Sequence, residues 1–246
     1  EKNIFQKINS TTLTNLVPRN YRDKENYWFG VSLRARILVY NSHIINKSDL
    51  NGYLDLANEK WKNKILVRSS SNIYNQSLIS GMIIKYGEEE VKKFLKGFIN
   101  NFARSPSGGD RDQIRAVAAG EGDLALVNSY YFLKMKSRDI EKKLKNVIVY
   151  FPQDNIMKTH INISGAGIIK NSKNKENALK FLEFLVENKA QKIYAEVNYE
   201  YPIRKNIELN DFMTKYNNFI KDEFDLSALA KLNKKSLMLM DIAGWQ

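Results

Sequence analysis

The chain has 246 residues, 43% of them hydrophobic, 27% charged and 11% aromatic, with 39 lysines and arginines, 27 acids, two histidines and no cysteine. A chain of this length buries roughly 70–75% of its unfolded surface, so it needs neither a disulfide nor a structural metal to hold a core. The missing cysteines exclude disulfide frameworks, thiol nucleophiles, iron–sulfur clusters and thiolate zinc, and two histidines leave almost no room for imidazole-built zinc or non-haem iron sites.

A net charge of +12 raises nucleic acid and anionic membranes as partners, but its distribution argues against both. Lysines alternate with acids, as in Glu88-Glu89-Glu90-Val91-Lys92-Lys93, where i,i+4 pairs support a helix. The cluster Lys142, Lys143 and Lys145 reads as a solvated face, because no aromatic residues are interleaved to stack on bases. No apolar run approaches the length of a membrane span, and no secretory h-region is visible.

In chain order, Glu1–Lys7 reads as the tail of a helix, which leads us to expect a βαβ portion ahead of it. Strands are expected at Arg36–Tyr40, Ile65–Val67, Asp123–Val127, Val147–Tyr150 and Gly165–Ile169. Helices are expected at Asn75–Tyr86, Glu88–Asn100, Asp112–Ala119, Tyr131–Lys143, Lys175–Glu187 and Ala190–Val197. Such alternation points to a parallel, doubly wound α/β fold.

Enzyme chemistry finds little support. The glycine pairs around Asp110 and Glu121, and Gly165-Ala166-Gly167, do not extend into a phosphate loop and read as turns, with Asp110 as a helix N-cap. His43 and His160 stand apart, with no GxSxG elbow, and read as surface-loop residues. No carboxylate sits in an apolar stretch that would raise its pKa for acid catalysis. We therefore expect no catalytic residue.

The 13 tyrosines are more informative. Tyr74 follows a strand and a serine-rich turn; Tyr130 and Tyr131 follow another strand; each begins a helix. Open α/β sheets bind ligands at the carboxyl ends of their strands. A helix N-terminus favours a phenolate by only about 0.3–1 kcal/mol, too little to ionise a phenol, whereas a highly charged cation deprotonates its ligands. Hard oxygen anions select hard cations such as Fe(III). Ordinary packing with a hydrogen-bonded hydroxyl explains each tyrosine as well, and spacing alone leaves both readings open.

At these residues the sequence resembles the ferric-ion-binding periplasmic proteins, the substrate-binding subunits of iron(III) ABC transporters. The matching stretches include Tyr27-Trp28-Phe29-Gly30, Arg34–Asn41, Trp61–Ile65, Ser69–Asn75, Gly108–Asp123, Asn128–Tyr131, Asn198–Pro202 and Asp241–Trp245. The resemblance implies a type II periplasmic-binding-protein fold: two α/β lobes joined by crossing strands, with a ligand cleft between. We expect one lobe from 1–38 and 166–212, and the other, carrying the visible ligands, from 39–165 and 213–246. It carries iron ligation over to Tyr74, Tyr130 and Tyr131. It also implies a synergistic anion such as carbonate, for which Arg36, Ser69, Ser70, Ser71 and Asn128 are candidates and Arg34 a weaker one. Tyr199 and Tyr201 are expected in hinge-side packing, with Tyr199 also a candidate to contact the site. A further tyrosine ligand of some relatives lies in a segment with no counterpart here. The implied protein is a non-enzymatic, periplasmic or lipid-anchored monomer that delivers Fe(III) to a membrane permease and binds no nucleic acid. The alternatives are a binding protein for another small solute or anion, and a basic nucleic-acid-binding protein.

Overall fold

The structure, a computed structural model, describes residues 4–139 and 142–246. Its strands are β1 (Phe29–Asn41), β2 (Ile65–Leu66), β3 (Leu124–Asn128), β4 (Val147–Tyr150), β5 (Ile161–Ala166) and β6 (Tyr201–Pro202). Its α-helices are α1 (Thr11–Leu16), α2 (Ile73–Tyr86), α3 (Glu88–Asn100), α4 (Asp110–Ala119), α5 (Ser129–Ser137), α6 (Lys175–Leu185), α7 (Asn188–Val197), α8 (Asp211–Lys215) and α9 (Leu226–Ala243). The chain divides into a smaller unit (Glu1–Arg34, Asn162–Asn218, Asp225–Ser227) and a larger one (Ala35–Ile161, Phe219–Phe224, Ala228–Gln246). On both crossing strands this division falls before the expected 38/39 and 165/166 boundaries: β1 changes unit after Arg34 and β5 after Ile161.

In the larger unit the strand order is β2-β3-β1-β4. β1 runs antiparallel to β3, from Arg36 opposite Asn128 to Tyr40 opposite Leu124, and antiparallel to β4. Among the described strand pairings of this unit β2–β3 is parallel, and so are the isolated bridges Ile65–Phe102 and Thr159–Lys221. The all-parallel expectation is therefore corrected. Alternation of strands and helices says nothing about a strand that enters from the other unit, and β1 does so against the direction of β3.

β1 is 13 residues long because Val31, Leu33, Ala35 and Ile37 alternate with Ser32, Arg34 and Arg36, a period of two that suits a pleated strand. β5 begins at Ile161 rather than Gly165, and α5 ends at Ser137 rather than Lys143. Residues 4–6 are extended, not helical: Phe5 bridges Ile169, and Gln6 N–H donates to the Ile168 carbonyl. Residues 1–3 of the expected helix tail lie outside the described residues.

The core of the larger unit packs the sheet residues Ile37, Val39, Ile65 and Leu124–Val127 with Leu78, Ile79, Val91, Phe94, Leu95 and Ile114, all buried. Trp245 closes it, meeting the Phe98 ring edge-on at 5.3 Å and donating from Nε1 to the Arg68 carbonyl at 3.1 Å. Gly97 lets α3 approach the 3-10 helix Tyr53–Ala57, since a Cβ there would lie 2.6 Å from the Ala57 carbonyl oxygen. Gly97→Ala should destabilise the protein by about 1–3 kcal/mol despite alanine's better helix propensity, as read by urea unfolding.

In the smaller unit, β6 pairs Tyr201 with Leu33. The buried Tyr201 hydroxyl donates to the Tyr216 carbonyl at 2.8 Å. Tyr199 takes a positive φ of 61° and sets its ring edge-on to Phe212 at 5.7 Å. Among the described residues no helix is long and apolar enough to cross a membrane.

Candidate metal centre

Two turns of the larger unit carry the three tyrosines. After β2 the chain makes a serine turn, in which Ser71 N–H donates to Ser69 Oγ at 3.1 Å and the two hydroxyls meet at 2.9 Å. Asn72 then caps α2, its side-chain oxygen accepting from Tyr74 N–H at 3.1 Å, as short polar residues do at exposed helix starts. After β3, Asn128 stands at the N-cap of α5, followed by buried Ser129, whose Oγ accepts from Ala35 N–H at 3.1 Å. Tyr130 and Tyr131 come next, in the first turn.

The two turns converge. The Tyr130 and Tyr131 rings lie 4.0 Å apart at 33°, and the Tyr130 hydroxyl is in hydrogen-bonding contact with those of both Tyr131 and Tyr74. Burial pushes the Tyr130 phenol far above its ordinary pKa, and its two phenol neighbours push it further. Three half-buried hydroxyls thus meet where two helix N-termini begin. Ionising them together requires a strong cation, and a hard trivalent ion offsets three phenolate charges. The Arg111 guanidinium stacks 5.2 Å from the centre of the Tyr131 ring, a neighbour that sequence spacing did not single out. Among the described residues no cluster of three His, Cys, Asp or Glu side chains offers another metal cage.

Beneath the phenols lies a buried polar node. Arg36, fully buried, donates from Nη1 to Asp110 Oδ2 at 3.1 Å and Asn128 Oδ1 at 3.4 Å, and from Nη2 to Asn75 Oδ1 at 2.5 Å. Asp110 Oδ2 also accepts the Asn128 N–H at 2.7 Å, fixing the start of α5. Arg68 approaches Asp110 Oδ1 at 3.4 Å. Asn75 Nδ2 donates to the carbonyls of Arg68 at 3.1 Å and Ser69 at 3.0 Å, fixing the serine turn. One ion pair therefore ties down both tyrosine-bearing turns.

The node corrects one expectation and bears on another. The Arg36 charge is paired with Asp110, and its Nε is sealed from solvent without a partner, as is Asn128 Nδ2. Asp110 is not the N-cap of α4: Gly109 holds that position, and Asp112 accepts the Gly109 N–H at 2.8 Å. Ser70 is nearly buried, its N–H donating to the Gln246 carbonyl at 3.3 Å, while Ser69 and Ser71 stay open near the start of α2. Tyr199 belongs to the smaller unit, as do Arg34 and its partners Ser164 and Glu200. His43 is exposed as expected, but His160 is completely buried, because Lys158–Asn162 leads into β5 rather than a surface loop.

Strands crossing between two α/β units, with phenol oxygens gathered where helices begin, describe a solute-binding protein. Residues 1–224 match the family of bacterial extracellular solute-binding proteins, and the chain belongs to it. Among its relatives, it is 41% identical to iron uptake protein A1 of Synechocystis sp., covering all of this chain and 69% of that one. It is 31% identical to the major ferric iron-binding protein of Neisseria meningitidis over 73% of this chain and 54% of the other. Its structure superimposes on the Trichodesmium protein IdiA (FutA), solved with iron and citrate ligands, with a TM-score of 0.93 and 46% identity, covering 99% of this chain and 78% of that one. The ferric binding protein of Campylobacter jejuni gives a TM-score of 0.92 at 36% identity, covering 99% and 78%.

Proposed function

We propose that this protein binds Fe(III) outside the cytoplasmic membrane through the phenolate oxygens of Tyr74, Tyr130 and Tyr131, and delivers it to the permease of an ABC transporter. The observation that carries this reading is the meeting of the three hydroxyls, from two separate turns, around Tyr130. The ion is cargo and no bond of it is transformed, so the residues need only hold and release it. A synergistic anion, carbonate or a carboxylate, completes the shell, and the open hydroxyls of Ser69 and Ser71 near the start of α2 are the groups best placed to meet it.

Adding ferric citrate to the iron-free protein should produce a visible tyrosinate-to-iron charge-transfer band. Tyr131→Phe should keep the fold but shift the band and weaken binding beyond the roughly 10–100-fold that outer-shell partners of a metal usually cost. Folded protein that stays colourless would defeat the proposal. A thermal-shift screen would then report whichever small anion or solute binds instead.

A further inference from the structure

The geometry points to a second anion site on the larger unit, distinct from the tyrosine cluster. A cavity of 890 Å³ opens beside α4, α5 and the segment that follows α5. Among the described residues its wall carries Arg111, Arg115, Lys134, Arg138 and Lys143 with the acid Asp139, above an apolar floor. Arg115 is paired and Lys143 has a partner of its own, so the positive excess of the described lining rests on Arg111, Lys134 and Arg138 against Asp139. Asp139 turns its Oδ2 to the Leu144 N–H at 2.8 Å, and Arg115 pairs with Asp112, outside the cavity lining, at 3.0 Å.

Cations gathered in one concavity repel each other, and a multiply charged anion relieves that cost while the walls focus its field. The volume falls in the range of small-ligand sites, about 300–1,000 Å³. Guanidinium forks match carboxylate and phosphate oxygens two at a time. The ligand class is therefore a compact multivalent oxyanion, a polycarboxylate or a polyphosphate. A nucleic acid would need a charged track with stacking rings, and no aromatic side chain is among the described residues that line this cavity.

The test is calorimetry on iron-free protein with citrate and pyrophosphate titrated separately, which distinguishes the carboxylate from the phosphate source. One of them should bind 1:1 and weaken steeply with added salt. The double variant Lys134→Ala/Arg138→Ala should lose at least about tenfold in affinity, because two charge-assisted contacts disappear. Arg115→Ala, at an exposed position, serves as the independent second variant and should weaken binding in the same direction. Tyr131→Phe should bind the anion as the parent does, since the ring beside Arg111 remains. The inference is overturned if neither probe binds at low salt, or if binding survives both cavity variants. Loss in Tyr131→Phe alone also overturns it, by assigning the anion to the phenols. No metal is added, so failure of the iron reading leaves this outcome untouched.

Discussion

Asp110→Ala should cost about 3–5 kcal/mol of stability in the larger unit, the range for removing one partner of a buried ion pair. Both side chains are completely buried; burial first, and the nearby Arg68 charge to a lesser degree, drive the Arg36 pKa down, with Asp110 the main opposing influence. Without Asp110, Arg36 keeps its charge in a place that water does not reach. The loss also strands the Asn128 N–H, which donates to Asp110. Urea unfolding followed by tryptophan fluorescence measures this, and a loss below about 1 kcal/mol would show that the pair is not the anchor described. A double variant, Arg36→Met with Asp110→Ala, should recover part of the loss, because no charge is left unpaired.

The same node predicts a functional effect separable from stability. Asp110→Asn preserves shape but turns one acceptor into a donor, facing Arg36 and the Asn128 N–H together or, with the amide turned over, Arg68. Under conditions where this variant is fully folded, its iron affinity should still fall, because Asn128 precedes Tyr130 and Asn75 holds the turn before Tyr74. Unchanged affinity in the folded variant would reduce the pair to a purely structural role.

That node also marks the limit of what the sequence discloses. Helix α3 could be read to the residue, because Glu88, Glu89 and Glu90 open it, Lys92 and Lys93 sit within reach of them, and Val91, Phe94, Leu95 and Phe98 repeat on one face. The phenol trio was legible only through its place after strands and through the resemblance. The Arg36–Asp110 pair spans 74 positions, and no local period connects them. Asp110 looked like a cap because short acids usually are; only the antiparallel course of β1, which sets Arg36 opposite Asn128, reveals its partner. Only Arg36–Tyr40 reads as a strand in the sequence: residues alternate strictly from Val31 to Ile37 in the first half of β1, but the arginines inside it hid the signal. Burial of His160 was hidden in the same way, by polar neighbours that alternate along the approach to β5.

His160 should make the larger unit sensitive to acid. Its Nε2 lies 2.9 Å from Ser77 Oγ, its ring meets Phe224 edge-on at 5.3 Å, and its backbone N–H donates to the Tyr53 hydroxyl at 3.0 Å. Nδ1 has no partner, and Gly81 backs onto it so closely that a Cβ would come within 2.9 Å. Protonation makes both ring nitrogens donors and adds a charge, and the N–H at Nδ1 then has nothing to accept it. Burial first, and the Arg36 charge second, push the imidazole down to about 3 from 6.5. Between these values the unfolded chain binds a proton that the folded one refuses, so stability rises with pH across that window. As pH falls below about 6.5, this residue alone should remove about 1.4 kcal/mol per unit, approaching 5 kcal/mol near pH 3. His160→Gln should lower stability at neutral pH by disturbing the packing, yet lose less than the parent on acidification. The carboxylates common to both proteins cancel in the difference, so urea midpoints at pH 7.5, 6 and 5 isolate the histidine. Parallel curves for the two proteins would mean that His160 takes up its proton inside the fold, and that the space between Gly81 and Phe224 is more polar than its walls indicate.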